Sequence, residues 1–496
     1  MLSSKFGHLQ PGYARYLLAA VFLFYALFPT RTHYWDGVLF SLNVESVQRG
    51  ELPAGMLFHP NHLLYSAAGY VAYKACLAFG LPIRAMTVFQ ILNITLATLS
   101  MWILFAFARG LTSSRRIAAV CAVLFAFGAT WWRFATDADA YIISILFLLL
   151  AIRFVAGDRP RLLPAAVFHV LAMLFHELAV FAYFPVLVAM TSDRQRSGRK
   201  RLWLACAYGL ATATCTVSIY FAAYQYSDHR VYPSLLSWAA SRSSTSQTLQ
   251  GAKQFFDGYL LSYVKLFAGG KLSLIRDFFS IVEALGFAVC AVCLAFAVYL
   301  FRRPAPEATV EAPLRAVRVL WAWLAVYAVF FVWWEPASAF YKLFVWPPIV
   351  LLNGVYFSRN SALRQRARGL LLLILGLAAW NFAAFTFPHS HAGADPVLVL
   401  AQRINRELPK RATIYYEVFA PDDWYLAYFA PGRTWRKLPA DRRVLAQTMG
   451  EPVCMETTAL ERIERDKLRP AIDPTRRWDL VNRQHYVRLE CVKTAP

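Results

Sequence analysis

The sequence predicts an α-helical polytopic membrane protein with about ten to thirteen spans, followed by a small α/β domain outside the membrane. Three observations carry this. Of 496 residues, 58% are hydrophobic and only 16% charged, with a mean hydropathy of +0.42, a balance that soluble globular chains do not show. Hydrophobic runs of spanning length recur along most of the chain. Arginine and lysine fall in short clusters between those runs, the pattern of cytoplasmic loops. The net charge of +22 is accounted for in this way and does not point to a nucleic-acid partner.

In chain order the runs cover 13–29, 62–80, 86–108, 117–132, 138–156, 161–190, 201–222, 278–301, 317–334, 341–357 and 369–387. The first lacks a small-residue cleavage site and continues into Arg31-Thr32-His33-Tyr34, so it reads as a retained helix. The run 161–190 is too long for one helix and reads as two short ones that turn near Phe175-His176-Glu177. Basic clusters at Arg109 to Arg116, Arg194 to Arg201, Arg302 to Arg318 and Arg359 to Arg368 place those segments in the cytoplasm.

It follows that 223–276 is an external loop. The runs 317–334 and 341–357 form a hairpin whose external tip is Trp334-Glu335-Pro336-Ala337, and everything beyond 387 is extracytoplasmic. Residues 30–60 and 133–139 also fall outside. Three runs lie between those two external points, so one of them does not cross. The expected one is 62–80, which carries Lys74 and ends in Gly80-Leu81-Pro82. Residues 1–387 are thus expected as a membrane domain and 388–496 as an extracytoplasmic α/β domain. The tail shows a helical stretch over 396–408 and strand-like runs at Thr413-Ile414-Tyr415-Tyr416 and Tyr486-Val487-Arg488-Leu489. Cys454 and Cys491 are the two cysteines outside hydrophobic runs, available for a disulfide in an oxidising compartment. Cys290-Ala-Val-Cys293 lies inside an apolar run and reads as two small packing residues.

Polar residues at membrane boundaries are costly and therefore mark function. The clearest is Asp36, in Tyr34-Trp35-Asp36-Gly37, just past the first run. A short amphipathic stretch and the turn Phe58-His59-Pro60-Asn61-His62 follow. Trp131-Trp132-Arg133-Phe134-Ala135-Thr136-Asp137-Ala138-Asp139 opens a later helix, His176-Glu177 interrupts an apolar run, and Tyr341-Lys342 precedes Trp346-Pro347-Pro348. Each has a structural reading too. Asp36, Asp137 and Asp139 could cap helices, His59 could shape its turn, Lys342 could snorkel, and Glu335 could be an ordinary loop charge.

The order of these features resembles the GT-C glycosyltransferases, the group holding protein O-mannosyltransferases and aminoarabinose transferases. That pattern has an acidic pair after helix 1, a His-Pro turn, an acidic residue opening a later helix, and a basic-aromatic segment ahead of prolines, matched here by Phe340 to Pro348. The acidic pair is Asp36-Gly37 in this chain, and His176-Glu177 is not part of the pattern. The resemblance implies transfer of a sugar from a polyprenyl-phosphate donor to a lipid, glycan or protein acceptor on the extracytoplasmic face of the inner (plasma) membrane. In that reading Asp36 is the catalytic base. His59, His62, Arg133, Tyr341 and Lys342 bind the donor, the cations among them stabilising the phosphate leaving group. Asp137 and Asp139 form an acidic second site and His176 with Glu177 a further polar site. A divalent cation (magnesium or manganese) is the one cofactor the resemblance leaves room for, with its ligands unassigned. No Gly-rich nucleotide loop is present. A transporter or flippase of lipid-linked glycans is the alternative, but the chain shows no internal repeat of the kind transporters carry; a non-catalytic scaffold is the third.

Overall fold

The computed structural model describes residues 11–157, 160–192, 197–241, 255–277, 279–302, 313–408, 410, 412–417, 421–438, 453–465, 472–481 and 486–492. Among these, five helices are long and apolar enough to cross a membrane: Ala85–Thr112, Gly198–Tyr224, Ile281–Phe301, Leu314–Trp333 and Ala367–Ser390. A sixth candidate is a bent pair, Arg115–Phe127 with Ala129–Ala135. Four shorter apolar helices bring the candidates to the lower end of the expected count. The chain is a multi-pass membrane protein.

The helices before the cleft are α1 (Pro11–Leu27), α2 (Trp35–Gln48), α3 (Tyr65–Ala78) and α4 (Ala85–Thr112). Next come α5 (Arg115–Phe127), α6 (Ala129–Ala135), α7 (Tyr141–Ala156), α8 (Leu162–Phe175), α9 (Tyr183–Thr191) and α10 (Gly198–Tyr224). At 1.5 Å per residue α3 is about 21 Å long, short of the roughly 30 Å hydrocarbon core. The run 161–190 is two helices, α8 and α9, joined by a 3₁₀ turn over Glu177–Ala182. The run 117–132, expected as one helix, is broken between α5 and α6 and bent by 64°. The cause lies at Gly128, where a Cβ would come within 2.5 Å of the Trp346 ring and 2.8 Å of the Leu266 carbonyl. Only glycine lets the chain turn that close to its neighbours.

α2 lies against the loop between α6 and α7 in the same way. A Cβ on Gly37 would sit 2.2 Å from the Ala138 carbonyl oxygen. Position 37 therefore has no room for any side chain, which explains physically why a glycine follows Asp36. The core among the helices is aromatic: Trp131, Trp132, Trp323 and Trp346 are fully buried. Buried polar groups there hold the backbone. The Trp346 indole donates to the Phe125 carbonyl and the Asn381 amide to the carbonyls of Phe127 and Phe267.

The tail is a mixed five-stranded sheet of β1 (Thr413–Tyr416), β2 (Thr434–Lys437), β3 (Val453–Glu456), β4 (Ile472–Val481) and β5 (Tyr486–Val492). Its order is β2-β1-β3-β5-β4. β1 runs parallel to β2 and β3, while β5 is antiparallel to β3 and β4. Cys454 and Cys491 are register partners on β3 and β5 and are joined by a disulfide. The helices Pro396–Glu407 and Pro421–Phe429 lie between this sheet and the membrane helices. The second docks on α2, where Tyr428 donates to Glu45 Oε1 at 2.9 Å. Arg84 gives 2.8 Å to the same oxygen and lies 4.1 Å over the Tyr428 ring.

Candidate functional site

A cleft of about 580 Å³ opens where the start of α2, the His-Pro turn, the α8–α9 turn, the 334–341 segment and the helix Pro421–Phe429 meet. Each element contributes in a way its sequence explains. Asp36 sits in the first turn of α2, the favourable end for a carboxylate, and is half-buried. His59 and His62 face each other across a tight turn closed by the bond from His62 N to the His59 carbonyl. His176 ends α8, and Glu177, exposed, opens the turn that follows. Glu335 stands at the hairpin tip in the left-handed region, with φ of 49°. Such a conformation is rare for a residue with a side chain and stores strain.

The walls are aromatic. Tyr34 packs on Phe340 at 5.0 Å, and Trp334 on Tyr341 at 4.2 Å. Tyr341 lies 5.8 Å from Tyr141, and Trp35 lies 5.8 Å from Trp424 of the tail. Three carboxyl groups line the cleft, on Asp36, Glu177 and Glu335, and its described lining holds no lysine or arginine.

The structure thus gathers Asp36, His59, His62, His176, Glu177 and Tyr341 into one space. Four other expected site residues lie elsewhere. Lys342, next to Tyr341, is fully buried and its ammonium donates to the carbonyls of Glu335 at 2.9 Å and Pro336 at 3.0 Å. It pins the hairpin tip from behind and does not line the cleft. A five-residue 3₁₀ turn, Tyr341–Val345, sends successive side chains in different directions, so one faces the cleft and the next faces the frame.

Asp137 accepts hydrogen bonds from Tyr34 N at 2.7 Å, His33 Nδ1 at 3.0 Å and Ala138 N at 2.9 Å. It ties the α1–α2 connection to the α6–α7 loop. Asp139 caps α7 by accepting from Tyr141 N at 3.0 Å. Burial pushes the Asp139 carboxyl well above the ordinary carboxylate range, and the Asp36 charge adds to that. Asp137 and Asp139 thus form a brace for this loop and do not line the cleft. Asn93 completes it by donating to the carbonyls of both aspartates at 2.8 Å. Arg133 stands on the other side of this loop, within electrostatic reach of Asp139, Lys271 and His389.

The histidines also depart from expectation. Burial pushes the His62 ring down to about 4, so it is neutral at physiological pH and supplies no charge to a phosphate. His59 Nδ1 accepts from Asn61 N at 3.3 Å. Among the described residues no three histidine, cysteine or carboxyl side chains converge as ligands, and no step is assigned to a metal.

The residues that sequence reasoning passed over are Tyr34, Trp35, Asn61, Tyr141 and Trp424. Four flank residues already singled out, whereas Trp424 comes from the tail and had no local signal.

No protein-family model matches the chain, and no curated protein matches its sequence. Solved structures do match its fold. ArnT from Cupriavidus metallidurans bound to undecaprenyl phosphate superposes with a TM-score of 0.62 at 13% identity, over 96% of this chain and 97% of that one. Its apo state gives a TM-score of 0.62 at 12% identity over the same shares. An oligosaccharyltransferase from Archaeoglobus fulgidus, in complex with zinc and sulfate, has a TM-score of 0.42 at 11% identity over 89% of this chain and 68% of that one. The fold is that of the GT-C group.

Proposed function

We propose that the chain is a membrane glycosyltransferase that moves a sugar from a polyprenyl-phosphate donor to a lipid, glycan or protein hydroxyl. One observation carries this: Asp36, half-buried, opens into an aromatic-walled cleft at the helix ends, in a fold shared with ArnT, which was crystallised with undecaprenyl phosphate. Asp36 takes the proton of the acceptor hydroxyl as that oxygen bonds to the anomeric carbon. The bond from this carbon to the phosphate oxygen breaks, and polyprenyl phosphate leaves. The cleft is rich in carboxyl groups, so the phosphate is held outside it, at Arg133 and the neighbouring Lys271 and Lys265. The aromatic walls suit a sugar ring and exclude water.

We place the cleft and the tail on the extracytoplasmic face of the inner membrane. The basic clusters lie in the opposite loops, and the Cys454–Cys491 disulfide belongs in an oxidising compartment. In this reading 1–387 is the catalytic membrane domain and 388–496 an extracytoplasmic domain whose Trp424 forms part of the cleft rim. The test is purified Asp36→Asn in nanodiscs with undecaprenyl-phosphate sugars. Turnover should fall by a factor on the order of 10² or more with the fold intact. Wild-type turnover in that variant would remove Asp36 from the mechanism.

A further inference from the structure

His62 and His176 carry an unexplained pair of nitrogens. Both rings line the cleft, and both are more than nine-tenths buried, with 7% and 2% exposure. Their centroids are 4.6 Å apart at 77°. His176 Nδ1 accepts from Leu178 N at 3.2 Å. That nitrogen therefore carries no proton, and the proton sits on Nε2. His62 spends its ring N–H on the Phe175 carbonyl, which leaves its Nδ1 as a bare lone pair. His176 Nε2 and His62 Nδ1 both lack a hydrogen-bond partner. The surrounding rings of Phe40 and Phe344 offer them none.

One free donor and one free acceptor sit on adjoining rings, and their chemistry selects the ligand. A phosphate needs donors only, and the His62 lone pair would repel it. An ammonium group needs acceptors only, and the His176 N–H would repel it. A metal ion needs lone pairs on both rings, and His176 Nε2 carries a proton. An alcohol is both donor and acceptor, so a single hydroxyl accepts from His176 Nε2 and donates to His62 Nδ1. An unpaired buried polar atom is costly, so the pair is maintained at a cost that a hydroxyl ligand relieves.

The geometry points to His62 and His176 as the subsite that reads one hydroxyl of the donor sugar, and so as determinants of sugar specificity. This rests on the lipid-linked-donor reading above.

Two variants remove only the free atoms. His176→Asn keeps an acceptor for Leu178 N and loses the distal donor. His62→Gln keeps a donor for the Phe175 carbonyl and loses the proximal acceptor. Binding is read from quenching of the cleft tryptophans with undecaprenyl phosphate alone, with undecaprenyl-phosphoryl mannose, glucose and galactose, and with monodeoxy forms of whichever binds best. Each variant should weaken binding of the preferred sugar lipid roughly three- to tenfold and leave undecaprenyl phosphate unchanged. The double variant should lose little more than either single one, because both atoms serve one hydroxyl. One monodeoxy lipid should bind wild type as weakly as the intact lipid binds the variants. The proposal is overturned if the variants lose equal affinity for the sugar-free lipid, or if they change nothing, which would make the occupant a structural water. If wild type binds none of the lipids, the donor reading itself fails, a result separate from either.

Discussion

In the cleft, Asp36 is half-buried and Glu177 exposed, whereas Asp137 and Asp139 sit in the surrounding frame at 0% and 1% exposure. All four are carboxyl groups near helix ends, and the frame pair looks the more unusual by burial alone. Their placement separates them. Asp137 accepts three hydrogen bonds and Asp139 caps a helix, and neither lines the cleft. Tyr341 and Lys342 repeat the contrast at adjacent positions, one lining the cleft and the other pinning the hairpin tip. Burial of a charged group is thus a weak sign of function by itself. What distinguishes Asp36 and Tyr341 is that they line the cleft.

The comparison breaks most easily at its two aspartates. Asp36→Asn should abolish most turnover, by a factor on the order of 10², and leave the unfolding temperature near that of wild type. Asp137→Ala should do the reverse. It leaves Tyr34 N and the His33 ring buried without their acceptor, which costs about 3–5 kcal/mol in stability. Thermal unfolding beside turnover per folded molecule checks both. A stable but inactive Asp137→Ala protein would put Asp137 in the mechanism and dissolve the distinction.

Lys342 gives a smaller effect that sharpens the same line. The carbonyls it holds each have another donor, Ser338 N on Glu335 and the Ser262 hydroxyl on Pro336. Lys342→Met fills the volume and removes the buried ammonium, so stability should change by less than about 2 kcal/mol. Donor affinity should be unchanged. A several-fold rise in the donor KM would restore Lys342 to the phosphate site and overturn the account of the hairpin tip.

These contrasts also show how far the sequence could be read. Membrane class, the paired short helices over 161–190 and the α/β tail followed from hydropathy and charge, which act through local composition. Asp36 and His176 stood out because polar residues at membrane boundaries are rare, and His59 and Tyr341 through the order of motifs. Which of them share a space was not legible. The separation of Tyr341 from Lys342 depends on a 3₁₀ turn, and the enclosure of Asp137 on His33 and Tyr34, a hundred residues away. The bend at Gly128 depends on Trp346. Trp424 reached the cleft through a docking that no local pattern marks. Long-range packing decided the last three, and periodicity carries no information about it.

That docking supplies the smallest test. The helix bearing Trp424 is held to α2 by Tyr428, whose hydroxyl donates to Glu45 Oε1 and accepts from Met86 N at 3.0 Å. Glu45 Oε1 keeps donors from Arg84 Nε at 2.8 Å and Ala85 N at 3.0 Å when the hydroxyl is gone, so its carboxylate stays paired. The Arg84 guanidinium can still stack on a phenylalanine ring. Tyr428→Phe leaves only the Met86 N–H without its acceptor and should therefore cost about 1–2 kcal/mol. Trp424 would shift slightly against Trp35, with at most a roughly twofold loss of turnover by the linear relation of barrier to rate. Donor binding should stay as it was, because the proposed donor contacts come from residues 1–387 and the tail meets only the rim. Titration of undecaprenyl phosphate against Tyr428→Phe checks this directly. A large loss of donor affinity there would make the tail part of the donor site, and the line drawn between frame and cleft would have to move to include it.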